Sequence, residues 1–404
     1  MDPRQTSQRA TPGIYPSSGA GATPLLEEVL RPRIRAEGPL SFESFMDLAL
    51  YHEDHGYYSD PSRLRIGTAG DFATNVSVGE TFGRLLSLRL HRLWQEGGQP
   101  ATMHLFELGP EDGSLALDVL RGVQALSPQF HGALHYAACE PSPRKRAALA
   151  ARFGDAGEPN LRAIGMPPGA TAGFGAVLAN EVLDALPVRL IRFVEGAWIE
   201  RRVGLQDESL IWVDAPIVDP LLARQVAALG TNFPDGYQTE LCSVLEPFFE
   251  SLMPLVDRGH FLFIDYGFAH DDYYHPDRTG GTLQTYAHHE ARQDPLDSPG
   301  IRDITAHVDF TAVATAAGRA GLIPHGFARQ ESYLTNLAAP LLRELTDDPP
   351  PDSFIRQFRT LTHPGFFGSR FHVLELRKGT LPSGASFPCR SAGLESLGLP
   401  PASP

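Results

Sequence analysis

The chain has 404 residues, 42% hydrophobic and 20% charged, with 34 basic against 48 acidic side chains and a formal net charge of -14. That length suits about two to three domains around a large core, and the sign of the charge excludes a broad nucleic-acid or anionic-membrane footprint. Three scattered cysteines, Cys139, Cys242 and Cys389, exclude a disulfide framework or zinc ribbon and point to a reduced, cytoplasmic setting, and no apolar run approaches the roughly 18 residues of a membrane span.

Residues 1–24, interrupted by Pro and Gly, are expected to be a disordered tail. From 25 to 98 the pattern is that of a helical extension. Leu25, Leu26, Val29 and Leu30 recur at helical spacing, Ser41 caps the run from Phe42 to Ala49, and Val78, Phe82, Leu85, Leu86, Leu90 and Leu93 mark a long amphipathic helix. Between these helices, Tyr51 to Tyr58 reads as a surface turn with packing tyrosines, because His52 and His55 lack the zincin spacing. The glycine-rich loop Gly67 to Asn75 is either a cover for a ligand or a plain connector.

Met103 to Leu108 is the near-continuous apolar run of a buried parallel strand, with Glu107 set into its end. Gly109 and Gly113 bound a turn, and Leu115, Leu117, Val119, Leu120 and Val123 continue as a helix. Strand, glycine turn and helix together offer free N–H groups and close backbone approach to a ligand. A second strand, Ala133 to Ala138, delivers Glu140, 27 positions after Gly113, where an acid can accept two hydrogen bonds from a ribose diol. Ser142 and Pro143 open the next helix. The second and third glycines of a nicotinamide fingerprint are here Glu111 and Ser114, and no cluster of Lys or Arg surrounds the turn in sequence. A cofactor with a ribose but no phosphate fits better, S-adenosylmethionine foremost.

Leu161 to Ile164 and Phe174 to Ala179 are the third and fourth strands, the latter running into Asn180-Glu181-Val182-Leu183-Asp184. Polar groups at the carboxyl end of a parallel strand stand where open α/β sheets bind ligands, although helix capping alone would use one or two of them. Arg189 to Val213 alternates as an antiparallel meander, Thr239 to Val256 is expected to be helical, and His260 to Tyr266 is a buried strand with Asp265 at its exit. Residues 268–300 are too long for an idle connection. Asp309 caps a helix closed by Gly321, Phe371 to Leu376 is the final strand, and 379–404 are expected to be a second disordered tail. Strands alternating with helices indicate an α/β doubly wound sheet over 99–378, with insertions at 189–238 and 268–306.

Six stretches together carry a resemblance: Gly56-Tyr57-Tyr58, Gly70-Asp71-Phe72 with Phe82-Gly83, Glu107-Leu108-Gly109-Pro110, Asn180-Glu181 with Asp184-Ala185-Leu186-Pro187, Asp265-Tyr266-Gly267, and Asp303 to Phe310. In order and spacing they resemble the S-adenosylmethionine-dependent methyltransferase family that includes the mitochondrial complex I assembly factor, over residues 38–376. The resemblance implies a class I methyltransferase (Rossmann-like) fold with a seven-stranded sheet and antiparallel last strand, S-adenosyl-L-methionine as cofactor, and a protein arginine as methyl acceptor. The family's loop usually reads Gly-Pro-Gly-x-Gly. Here Glu111 replaces the middle glycine and Asp112 follows it, while Val76-Ser77 stands where Pro-Glu usually follows the Gly-Asp-Phe loop.

Methyl transfer from a sulfonium is an in-line displacement that needs alignment and exclusion of water, with no metal and no covalent nucleophile. Strand-exit position plus resemblance make Glu181 and Asp184 the expected carboxylate grip on a guanidinium, with Asp265 next and Asn180 as a positioning group. Gly109 and Gly113 would shape the cofactor turn, Glu140 would take the ribose and Glu107 the amino end, with Asp71 and Asn180 also at the cofactor. A non-catalytic scaffold of the same fold and a small-molecule methyltransferase stay open as alternatives. No nucleic acid is expected as a partner, and a homodimer is compatible with this reading.

Overall fold

The computed structural model describes residues 25–59, 74–166, 173–287, 290–292, 294–344, 351–380, 386–389 and 393–399. Its centre is a sheet whose strands, in chain order, are β1 (Met103–Leu108), β2 (Leu134–Cys139), β3 (Leu161–Ile164), β4 (Phe174–Asn180), β5 (Arg258–Phe268), β6 (Ile323–Arg329) and β7 (Phe371–Lys378). Across the sheet they run β3-β2-β1-β4-β5-β7-β6. The first five are mutually parallel, and β7 lies antiparallel to both β5 and β6. A two-residue strand, Val308–Asp309, pairs with the end of β5. Chain order reverses direction between β1 and β4, so their carboxyl ends diverge and leave a crevice. This is the class I methyltransferase arrangement expected from the sequence.

Both faces of the sheet are covered. One carries the helices Thr81–Glu96, Ser114–Leu126 and Gln330–Glu344, packed through Leu86, Leu90, Leu120, Tyr333 and Leu337; the other carries Leu245–Leu252 and Phe310–Arg319 through Phe249, Val313 and Ala317. The first layer contains a fully buried ion pair. Arg89 donates from Nε and Nη2 to the two carboxylate oxygens of Glu375, both at 2.8 Å, and the Tyr333 hydroxyl donates to the same carboxylate at 2.6 Å.

A five-stranded antiparallel sheet, comprising Leu40–Ser41, Arg189–Val194, Ala197–Gln206, Ser209–Ala215 and Gln238–Leu241, packs with the helices Leu25–Glu37 and Phe42–Tyr51 around Leu30, Phe45, Leu190 and Val203. Two sequence expectations change here. Thr239 to Leu241 belong to this sheet, and the helix starts only at Leu245; Gln238 to Leu241 pair with Arg189 to Arg192, and that ladder outweighs local helical periodicity. The expected disordered tail after 379 contains buried Phe387, Leu394 and Leu397, whose apolar side chains a Pro/Ser/Gly-rich average conceals. Phe387 lies so close to Gly326 that a β-carbon there would come within 2.3 Å of its ring. Tyr51 to Tyr58 is the expected surface turn with packing tyrosines: Glu53 and Asp54 are exposed, while the Tyr57 ring is completely buried. The segment after β5 forms a small sheet of Gln284–Ala287, Glu290–Arg292 and Asp303–Thr305, which brings Asp303 back over the strand ends.

Candidate active site

A cavity of about 920 Å³ opens over the tips of β1, β4 and β5. Its floor begins at Glu107, which is almost fully buried and accepts a hydrogen bond from Tyr136 Oη at 3.0 Å. Burial pushes its carboxyl up to about 8, against the lowering effect of that hydrogen bond. Gly109 follows with φ +62°, Pro110 and Glu111 continue the wall, and Gly113 at φ +79° starts the helix Ser114–Leu126. Gly113 faces away from the cavity, toward Phe153 and Leu149, so its lack of a side chain serves packing between helices.

Glu111 sits where the family has glycine, and it adopts glycine's backbone, with φ +46°. Its carboxylate meets Lys145 Nζ at 3.4 Å, and Lys145 in turn lies 3.2 Å from Glu140. Asp112 is engaged by Arg152 at 2.7 Å and by the Ser114 N–H at 2.9 Å. The turn that looked free of basic residues in sequence therefore has two, both supplied by the helix Pro143–Ala156 and both committed to carboxylates. A left-handed non-glycine residue costs about 1–2 kcal/mol. Glu111→Gly is therefore expected to raise stability by about 1 kcal/mol, read from the denaturant midpoint; a drop would mean that the Lys145 bridge outweighs the backbone strain.

Glu140 does not line the cavity, contrary to expectation. Its carboxylate is taken by the Ser142 N–H at 2.8 Å and by Lys145. Asp265 stays below the surface as well. Its Oδ2 accepts the N–H groups of Val182, Leu183 and Asp184 at 3.1, 2.9 and 3.2 Å, so it holds the loop after β4 in place and does not face a substrate. Asp71 lies outside the described residues.

Asn180, Glu181 and Asp184 do come together. Glu181, with φ +53°, accepts from the Asn75 N–H at 3.0 Å and from Asn180 Nδ2 at 3.1 Å. Asn75, itself buried and anchored by Gln330 at 2.8 Å, also donates to Asn180 Oδ1 at 3.2 Å. The hydroxyl of Tyr266 donates to Asp184 Oδ2, while Asp184 Oδ1 is buried without a hydrogen-bond partner among the described residues. Opposite stands Asp303, which takes the Tyr58 hydroxyl at 2.9 Å and its own neighbour's N–H at 2.9 Å. Burial, then mutual repulsion with Asp184, pushes Glu181 and Asp303 up to about 8; burial raises Asp184 to about 6, opposed by the Tyr266 hydrogen bond. No Lys or Arg among the described residues pairs with any of these three acids.

The sequence profile of the S-adenosyl-L-methionine-dependent methyltransferase family matches residues 85–328, more than half of the chain. The chain belongs to that family. S-adenosyl-L-methionine is therefore its cofactor, and the residues at the tip of β1 suit such a group: Gly109, at φ +62°, lines the cavity, and Glu107 offers a buried carboxyl beside it. Among the methyltransferase's relatives is the fruit-fly mitochondrial homolog of protein arginine methyltransferase NDUFAF7, 30% identical over 90% of this chain and 86% of that protein. Human mitochondrial protein arginine methyltransferase NDUFAF7 is 26% identical over 90% and 87%. A Burkholderia thailandensis protein crystallised with S-adenosyl-homocysteine superposes with a TM-score of 0.78 at 30% identity, covering 90% of this chain and 94% of that one. The cytoplasmic setting inferred from cysteine usage is overturned here, because these NDUFAF7 relatives are mitochondrial proteins. A cysteine count reports redox conditions, and these do not separate the two compartments. Among the described residues no helix is long and apolar enough to cross a membrane.

Sequence reasoning missed four contributors: Asn75, Tyr58, Tyr266 and Asp303. All but Asn75 sit inside stretches that carried the family resemblance, but nothing local shows that the four meet.

Proposed function

We propose that this methyltransferase acts on the guanidinium of an arginine in a protein acceptor, with Glu181, Asp184 and Asp303 as its grip. The observation that carries the reading is the convergence on one cavity of buried Asp184 and Asp303 and half-buried Glu181, none of them in an ion pair with a described cation, with Asp184 Oδ1 lacking a hydrogen-bond partner among the described residues. A cation of planar, multidentate shape satisfies that set, and an arginine side chain supplies it with five N–H donors. The names of the relatives support the same substrate class.

When bound, S-adenosyl-L-methionine supplies a methyl group on a positively charged sulfur. The chain's residues do the rest. Glu181, fixed by Asn75 and Asn180, and Asp184, fixed by Tyr266, orient one guanidinium nitrogen and keep its remaining protons directed at oxygen. As the new N–CH3 bond forms, the nitrogen must shed a proton, and a carboxylate raised toward neutral range is a suitable acceptor. Glu107 and the Gly109 turn remain with the cofactor. Asp265 positions the loop, and Glu140 holds Lys145 against Glu111. One chain holds every residue named, so the reading calls for no second copy.

Incubating the protein with methyl-labelled S-adenosyl-L-methionine and a lysate of its host is expected to label protein, with the label recovered as methylarginine after hydrolysis. Label in small molecules only, or no label despite cofactor binding by calorimetry, would replace this reading with a small-molecule acceptor or a non-catalytic scaffold.

A further inference from the structure

The loop from His363 to Arg370 runs between the end of helix Asp352–Thr362 and the start of β7, and it is tied to the acid grip at both ends. At its start, Gln330 Nε2 donates to the Leu361 carbonyl at 3.0 Å and to Asn75 Oδ1 at 2.8 Å, and Asn75 is the residue whose N–H fixes Glu181. At its end, the Phe371 ring meets Tyr266 edge-on, centroids 5.5 Å apart, and Tyr266 is the residue whose hydroxyl holds Asp184. The interior of the loop is equally fixed. The N–H groups of Phe366 and Gly368 donate to the His363 carbonyl at 3.0 and 3.2 Å, Ser369 Oγ donates to the Pro364 carbonyl at 2.7 Å, and a β-carbon at Gly368 would come within 2.3 Å of the Thr362 carbonyl oxygen. Phe367 turns inward onto Phe371, centroids 5.5 Å apart, whereas Phe366 is 59% exposed. A singly exposed apolar residue needs no explanation by itself. Phe366 differs in its place: of the exposed large apolar side chains among the described residues, it alone lines the acid cavity.

We propose that Phe366 covers the methylene stem of the acceptor side chain whose guanidinium the acids take, so that this loop selects a cation carried on a long apolar stem. The inference rests on the arginine reading and adds a specificity-determining residue to that site. Arg370 is the one Lys or Arg among the described lining residues, against Glu181, Asp184, Asp303 and the acids at the tip of β1, so the occupant's head is a cation. A guanidinium is joined to its backbone by methylenes, and these must lie along whatever forms the mouth. Long cationic side chains bury such stems on apolar surface while the charged head keeps its polar partners. The loop supplies that surface: Phe366, Phe367 and Phe371 all line the cavity, Phe371 buried, Phe367 half-buried and Phe366 exposed. Covering the stem also keeps water from the contacts between guanidinium and carboxylates, which strengthens them.

The test compares two small cations, guanidinium and n-butylguanidinium, binding to the full chain in the presence of S-adenosyl-homocysteine, read by ligand-observed NMR titration. Guanidinium reports the acids alone, and the extra affinity of n-butylguanidinium reports the stem. In the wild type the stem is expected to add about tenfold in affinity, as burial of about half of its apolar surface would give. Phe366→Ala should cut that gain to about twofold, with guanidinium affinity and melting temperature unchanged because the ring is exposed. Phe366→Leu, apolar but without a ring, should keep most of the gain. A stem that adds nothing in the wild type, a gain that survives Phe366→Ala, or a gain lost as fully in Phe366→Leu as in Phe366→Ala overturns the proposal, and in each case the binding of guanidinium itself leaves the acid grip standing. Failure of the arginine reading looks different: guanidinium then binds the wild type no better than Asp184→Asn, and the proposal falls with it.

Discussion

Asp184→Asn is expected to lower kcat for methyl transfer by about 10²–10³-fold, the size of effect seen when one preorganised electrostatic partner is removed from a closed site. The substitution keeps the shape and the Tyr266 contact but deletes the charge facing the acceptor. Cofactor affinity by calorimetry should stay the same, since Glu107 and Gly109 are untouched. A second readout is pH. A guanidinium does not titrate in this range, so the acid limb of kcat/KM belongs to the enzyme. Glu181 and Asp303, near 8, and Asp184, near 6, are neutral below those values, so kcat/KM of the wild type falls as pH drops from about 8 to 6. Asp184 is the second cause, after burial, of the raised values at both Glu181 and Asp303. Removing its charge should therefore move the acid limb to lower pH. An unchanged kcat with an unmoved limb would take Asp184 out of the grip.

Arg89→Met is expected to destabilise the fold by about 3–5 kcal/mol, because it leaves a buried carboxylate without its counter-charge. Burial by itself would raise Glu375, and the Arg89 guanidinium overrides it and holds the carboxyl at about 2, below its usual 4.5. That contribution is fully present above the unfolded value and is lost as pH falls through the folded one, so wild type and variant should converge only between about pH 4.5 and 2. Combining Arg89→Met with Glu375→Met should recover most of the loss, since paired replacement of a buried ion pair by apolar groups is often neutral. Guanidinium denaturation of the wild type, both single variants and the double variant checks this. A loss below about 1 kcal/mol in Arg89→Met would show that helix Thr81–Glu96 is held to the sheet by its apolar face alone.

Much of the framework was readable because buried parallel strands announce themselves locally: Met103 to Leu108 and Phe174 to Ala179 are apolar runs ended by polar residues, and both lie where expected. Asn180, Glu181 and Asp184 were legible for the same reason. Other parts depend on partners far away in sequence. Glu140 and Lys145 are five positions apart, yet only the folded turn shows that Lys145 pairs with Glu140 and also reaches Glu111. Asp265 looked like a catalytic acid at a strand exit; its three N–H contacts exist only because the loop after β4 folds back onto β5. Glu111 stands in place of a family glycine, and the left-handed backbone it adopts is invisible in a one-letter code.

The hydroxyl of Tyr58 and the carboxylate of Asp303 join a helical segment near the start of the chain to an excursion 245 positions later. The turn after β1 and the strand tips beside it, by contrast, come from one continuous stretch from β1 to β4. Loss of the Tyr58–Asp303 tie is therefore expected to loosen the far wall of the cavity while leaving that continuous stretch in place.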